Sequence, residues 1–141
     1  MEMITYAGCF LVLPTDIFVF QKRDNIPIIS QPGGIGTFGG EVEPFEDIAE
    51  GLNRELLEEI GIEIGLLKPI FIGYYVDFCE IKNRFIKCHF YFSPIEEEPI
   101  TCNEGNIITL KSTEILSHPD VIPLQKDLFL RITLMKRTGL I

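Results

Sequence analysis

Between Asp47 and Gly61 the chain carries two patterns that pull against each other. Ile48, Leu52, Leu56 and Ile60 recur every four residues, the stripe of a helix packed on one side, with Ala49 and Leu57 expected alongside it. Asp47 with Glu50 three residues on forms a helix-starting pair, and Gly61 suits a helix end, so the spacing predicts a helix from Asp47 to Ile60. On that helix Glu55 has Glu58 and Glu59 as its i+3 and i+4 neighbours, so three carboxylates share one face. Two carboxylates about 4 Å apart repel by roughly 4 kcal/mol at an effective dielectric near 20. Selection for stability alone would avoid the arrangement. A hard divalent cation resolves it, because clustered oxygen ligands are what Mg²⁺ or Mn²⁺ takes, with water and substrate phosphate completing the shell.

The surrounding residues sharpen this. Gly40, five residues, Glu46, seven residues, Arg54-Glu55-Leu56, one residue, Glu58-Glu59, one residue, then Gly61-Ile62 resembles the Nudix box at every defining position. The resemblance implies an α/β/α sandwich with a mixed β-sheet, a catalytic loop-helix-loop and hydrolysis of a diphosphate linked to another group. It also implies roles. Glu55, Glu58 and Glu59 form the metal and catalytic face, and Glu46 with Arg54 braces the loop against the helix through a carboxylate-guanidinium fork. Gly40 joins the metal ligands through a carbonyl, while Gly39 and Gly61 shape the supporting backbone. Glu104, in Asn103-Glu104-Gly105, resembles the distal carboxylate that relatives supply as a further ligand or as the base. Gly51, one turn before Glu55 on the acidic face, is expected to leave room for metal-bound water or phosphate.

Ile4 to Leu13 and Ile17 to Phe20 read as a hairpin around Pro14-Thr15-Asp16, ending at Gln21-Lys22-Arg23. Those basic residues either meet substrate phosphates or remain a solvated strand end. Pro32 to Gly40 holds five glycines in nine residues, so its backbone can turn sharply or approach a ligand. Many relatives carry Pro-Gly-Gly before the box, where this chain has Phe38-Gly39-Gly40. Pro69 to Val76 and Arg84 to Phe92 read as strands joined at Glu80-Ile81-Lys82-Asn83. Their aromatics, Tyr74, Tyr75, Phe78, Phe85, Phe90, Tyr91 and Phe92, are expected mostly in the core, with one or two free to stack on a base. His89 reads as a packed histidine and Glu96 to Glu98 as a solvated cluster. Ile107 to Leu110 is a short strand, Ser112 or Thr113 caps a short helix near Glu114 to Leu116, and Pro123 to Arg137 is a packing helix. Arg23, Phe38 and Tyr75 are the expected substrate contacts.

The chain of 141 residues is read as a single domain, 1–141, with a net charge of −9. That charge disfavours long nucleic acid, which clustered Lys and Arg would hold. A small phosphorylated metabolite, in the first place a nucleotide, remains open to it if metal supplies the positive charge. Glu2 stands where a signal peptide would be basic, and Ala7 to Leu13 is too short to span a membrane, so a cytoplasmic protein without membrane contact is expected. Cys9, Cys79, Cys88 and Cys102 lack paired spacing and read as buried free thiols. Neither the proline that marks ADP-ribose hydrolases nor the tyrosine that marks dinucleoside polyphosphate hydrolases stands in Val76 to Glu80. Elimination leads to a MutT-like (deoxy)nucleoside triphosphate pyrophosphohydrolase, with a nucleotide-sugar or ADP-ribose pyrophosphatase as the alternative. A nucleotide-metabolite sensor without turnover is the reading from another class. Many relatives are homodimers, so a dimer is a further expectation.

Overall fold

The first strand decides the architecture. β1 (Ile4–Leu13) sends Ala7, Cys9 and Leu11 into one apolar cluster and Phe10 and Val12 into another. A strand covered on both faces reads as a continuous apolar run, which is why Ile4 to Leu13 lacks polar alternation. The computed structural model describes residues 3–27, 31–63, 69–99 and 101–141. In it β1 runs parallel to β6 (Arg84–Pro94), with Ile4 opposite Ile86 and Val12 opposite Pro94. Its first half also pairs antiparallel with β4 (Phe38–Glu41) and its second half with β2 (Ile17–Lys22).

β5 (Ile70–Cys79) forms one sheet edge by pairing with β6, and β2 is flanked by β3 (Ile35–Gly36) and β7 (Asn106–Lys111). The described sheet is therefore mixed. α1 (Ile48–Ile60) packs Leu52, Leu56 and Ile60 against Cys9, Leu11, Val19 and Phe38. α2 (Pro123–Arg137) packs Leu128, Phe129 and Ile132 against Phe10, Phe18, Phe20 and Leu110 on the other face. The result is the α/β/α sandwich that the box implied.

α1 begins and ends where its caps place it. The Asp47 carboxylate accepts the Glu50 amide at 2.8 Å, and Gly61, at φ 72°, donates its N–H to the Leu57 carbonyl. A short 3₁₀ turn, Ser112–Glu114, replaces the expected helix near Glu114 to Leu116; the Glu114 carboxylate accepts the Lys111 amide at 2.9 Å.

Several side chains lie elsewhere than the sequence suggested. Phe38, read as a substrate contact, is fully buried beneath α1 and pairs across the sheet with Cys9. It is core, because alternation in β4 turns it away from the ligand side. Ala49 and Leu57 are exposed, since the buried stripe of α1 runs through Gly51, Leu52, Leu56 and Ile60. A Cβ on Gly51 would meet the Val42 side chain at 3.0 Å, so this glycine lets α1 close over the preceding loop and does not make room for ligand. Tyr74, Phe78 and Phe85 are exposed, because α1 covers β1 and β4 and stops short of the β5 edge. All four cysteines are free, though only Cys9 is fully buried. Phe38→Ala should cost about 3–5 kcal/mol of stability in urea denaturation, while leaving the KM of the folded protein unchanged.

Candidate active site

Arg54 gathers the front of α1. Its Nε and Nη2 donate to the two oxygens of Glu46 at 2.7 and 2.8 Å, a bidentate fork, and Glu46 also accepts the Glu43 amide at 2.9 Å. Nη2 reaches the Glu41 carbonyl at 3.1 Å, while Nη1 reaches Glu55 at 3.1 Å and Glu58 at 3.4 Å. Arg54 thus does more than brace Glu46: it touches two of the three clustered carboxylates. The fork holds the Glu46 carboxyl down to about 2.

The remaining carboxylates are positioned by close packing. A Cβ on Gly40 would fall 2.3 Å from the Glu55 carboxyl carbon, so this glycine is needed for space beneath Glu55. Gly39 has φ 156°, and a Cβ there would collide with the Ala7 carbonyl of the neighbouring strand. Burial raises the Glu55 carboxyl above its ordinary range, against the pull of Arg54. Burial also raises Glu59, aided by the charges of Glu104, Glu55 and Glu58, with Arg23 opposing. Glu104, Glu59 and Arg23 are therefore electrostatic neighbours despite their distance in sequence. Glu58 is more exposed than Glu55 or Glu59, with 59% of its side chain accessible.

Glu55, Glu59 and Glu104, but not Glu58, line a cleft of about 770 Å³. Phe90, Ile86, Cys88 and Leu124 add apolar lining, beside the polar side chains of Asp77, Lys82 and Gln125. Arg23 and Tyr75 line it as the sequence suggested. Lys22 does not: it pairs with Asp120 at 2.9 Å. His89 packs against the rings of Phe71 and Tyr74 on the face away from the cleft and takes no part.

Two cleft residues had no sequence signal. Lys82 lies over the Tyr6 ring, 5.3 Å from its centroid, and faces Glu41 at 3.6 Å. Gln125, in α2, accepts the Thr37 amide through Oε1 at 2.8 Å. That bond assigns Oε1 as the acceptor and leaves Nε2 as the donor of a side chain that lines the cleft. Gly36 permits it, since a Cβ there would lie 2.8 Å from Nε2. Neither residue lies near the box in the chain, so only the fold brings them to it.

A sequence model of the NUDIX domain matches residues 5–132. The chain belongs to the Nudix family. This Nudix domain is similar in structure to a MutT protein from Methanosarcina mazei Go1, at 19% identity and a TM-score of 0.79, covering 96% of this chain and 98% of that one. It is also similar to the E. coli ORF135 protein, at 23% identity and 0.73, covering 96% and 92%. A MutT protein from Bacillus halodurans matches at 25% identity and 0.70, covering 90% and 80%. No curated protein matches the sequence. As a Nudix hydrolase, the chain acts on acid anhydrides in phosphorus-containing substrates.

Nudix hydrolases in general use divalent metals. Among the described residues no three Asp, Glu, His or Cys side chains already converge on one ligand point. The donor set nevertheless fits a hard cation. Glu59 Oε2 is buried without a hydrogen-bond partner, and like charges crowd the same carboxylate. An orphaned anionic oxygen in that setting is what a cation would satisfy.

Two outcomes follow from these shifts. A raised carboxyl binds its proton more tightly in the folded state, so the ionised Glu59 costs stability at neutral pH. Glu59→Gln should therefore raise the melting temperature of the metal-free protein while lowering turnover. The Glu46 carboxyl is depressed from 4.5 to about 2, so its stabilising effect is full above 4.5 and is lost as pH falls toward 2. The urea midpoints of wild type and Arg54→Met should accordingly converge as the pH is lowered through that window.

Proposed function

We propose that this Nudix hydrolase cleaves the α–β anhydride of a nucleoside or deoxynucleoside triphosphate, releasing the monophosphate and pyrophosphate, with Mg²⁺ as its ion and Mn²⁺ as a substitute. The observation that supports this reading best is one cleft lined both by the carboxylates of Glu55, Glu59 and Glu104 and by the apolar and aromatic side chains of Tyr75, Ile86, Phe90 and Leu124. A nucleoside polyphosphate has the same division, an anionic chain joined to a flat, weakly polar base.

An ion held by Glu55, Glu58 and Glu59 would neutralise the diphosphate and lower the pKa of water. Arg54 keeps Glu55 and Glu58 oriented and stays bound to Glu46. Glu104 accepts the proton of the water that attacks phosphorus, and the P–O bond to the leaving pyrophosphate breaks. Arg23, which also lines the cleft, faces the phosphates. In the same cleft Tyr75, Phe90 and Leu124 offer walls for the base, and the Gln125 amide offers a donor to one of its acceptors.

In this reading residues 1–141 work as one catalytic unit in the cytoplasm on a small nucleotide. No helix among the described residues is long and apolar enough to cross a membrane.

A Mg²⁺-dependent screen over nucleoside triphosphates, nucleotide sugars, ADP-ribose and dinucleoside polyphosphates tests the proposal. The expected result is pyrophosphate and monophosphate from triphosphates, and a Glu58→Gln loss of about 10²–10⁴-fold in turnover. Faster release from nucleotide sugars would move the substrate to that class. Thermal stabilisation by a nucleotide with no product from any compound would indicate a sensor. Near wild-type turnover by Glu58→Gln would remove the catalytic assignment.

A further inference from the structure

The last turn of α1 leaves backbone carbonyls without helical donors. Gly61 satisfies the Leu57 carbonyl, and the last turn carries no basic side chain that could serve the next two. A residue more than forty positions away does so. Asn103 donates its side-chain Nδ2 to the Glu58 carbonyl at 2.6 Å and its backbone N–H to the Glu59 carbonyl at 3.1 Å. The negative end of the helix dipole strengthens such bonds.

The next residue is Glu104. Its peptide oxygen accepts Nε2 of Gln21 at 3.0 Å, and Gln21 is a buried polar side chain of β2. The loop carrying Glu104 is therefore tied on one side to the helix that carries Glu55, Glu58 and Glu59, and on the other to the sheet. Glu104 and Glu59 line the same cleft.

We infer that Asn103 is a positioning residue: by completing the C-terminus of α1 it holds Glu104 in register with the box carboxylates, and Gln21 secures the same peptide from the opposite side. The inference rests on the role given to Glu104 above. Its physical basis is separate from that role. Three carboxylates share one rigid helix, whereas the fourth sits on an exposed loop that these bonds, among the described residues, hold in a fixed relation to that helix. A displacement of about 1 Å in a reacting group can cost 10²-fold in rate.

The test is a double-mutant cycle between Asn103→Leu and Glu104→Gln, with kcat and KM measured on the substrate found in the screen. Asn103→Leu should lower kcat by roughly 10²-fold with little change in KM. In the Glu104→Gln background it should lower kcat no further. Gln21→Leu should behave alike. Hydrogen exchange on the metal-free protein supplies a readout independent of turnover: residues 101–105 should lose protection in Asn103→Leu while Glu55 to Leu57 keep theirs. An equal loss in both backgrounds would mean general destabilisation and overturn the inference. So would unchanged kcat in Asn103→Leu when Glu104→Gln is impaired, which leaves the role of Glu104 standing. Full activity in Glu104→Gln would overturn both together.

Discussion

The guanidinium of Arg54 is the interaction on which the site depends. It sets its planar fork on both oxygens of Glu46 and uses its remaining reach on Glu55, Glu58 and the Glu41 carbonyl. One rigid cation thereby joins the loop before α1, the end of β4 and two clustered carboxylates. Lysine could not do this, since a single ammonium lacks the five planar donors that serve several acceptors at once. The carboxylates are otherwise a set of like charges with little local compensation, and Arg54 makes their proximity tolerable without neutralising them all.

What Arg54 leaves uncompensated is informative. Glu59 keeps a buried oxygen with no partner and a carboxyl raised by burial and by neighbouring charges. Side chains in a folded protein are rarely left so, because an unpaired buried polar atom costs free energy that no packing returns. Here the strain sits beside the cleft, opposite Glu104 and near Arg23. That carboxylate lies on a helix packed against a sheet covered on both faces.

Much of this was legible beforehand because its causes are local. The limits of α1 follow from Asp47 and Gly61, the strand of β1 from its β-branched and aromatic residues, and the acidic face from i, i+3 and i+4 spacing. Other readings failed where a local signal had to stand for a tertiary one. Gly51 falls on the acidic face by spacing, but Val42 packs against it. Phe38 stands beside the box glycines, but strand alternation sends it under α1. The aromatics of β5 and β6 look like core by composition, but the edge of the sheet leaves Tyr74, Phe78 and Phe85 exposed.

By itself the sequence carried the family signature and put three carboxylates on one helical face, since these depend on residue type at short, fixed separations. Only the tertiary structure decided that Gly40 leaves room for Glu55, that Gln125 of α2 joins the cleft lining, and that Asn103 ties the loop of Glu104 to the end of α1. Each of those facts is a contact between distant segments. Such contacts are set by how strands pair and helices pack across the whole chain, and no window of sequence contains both partners.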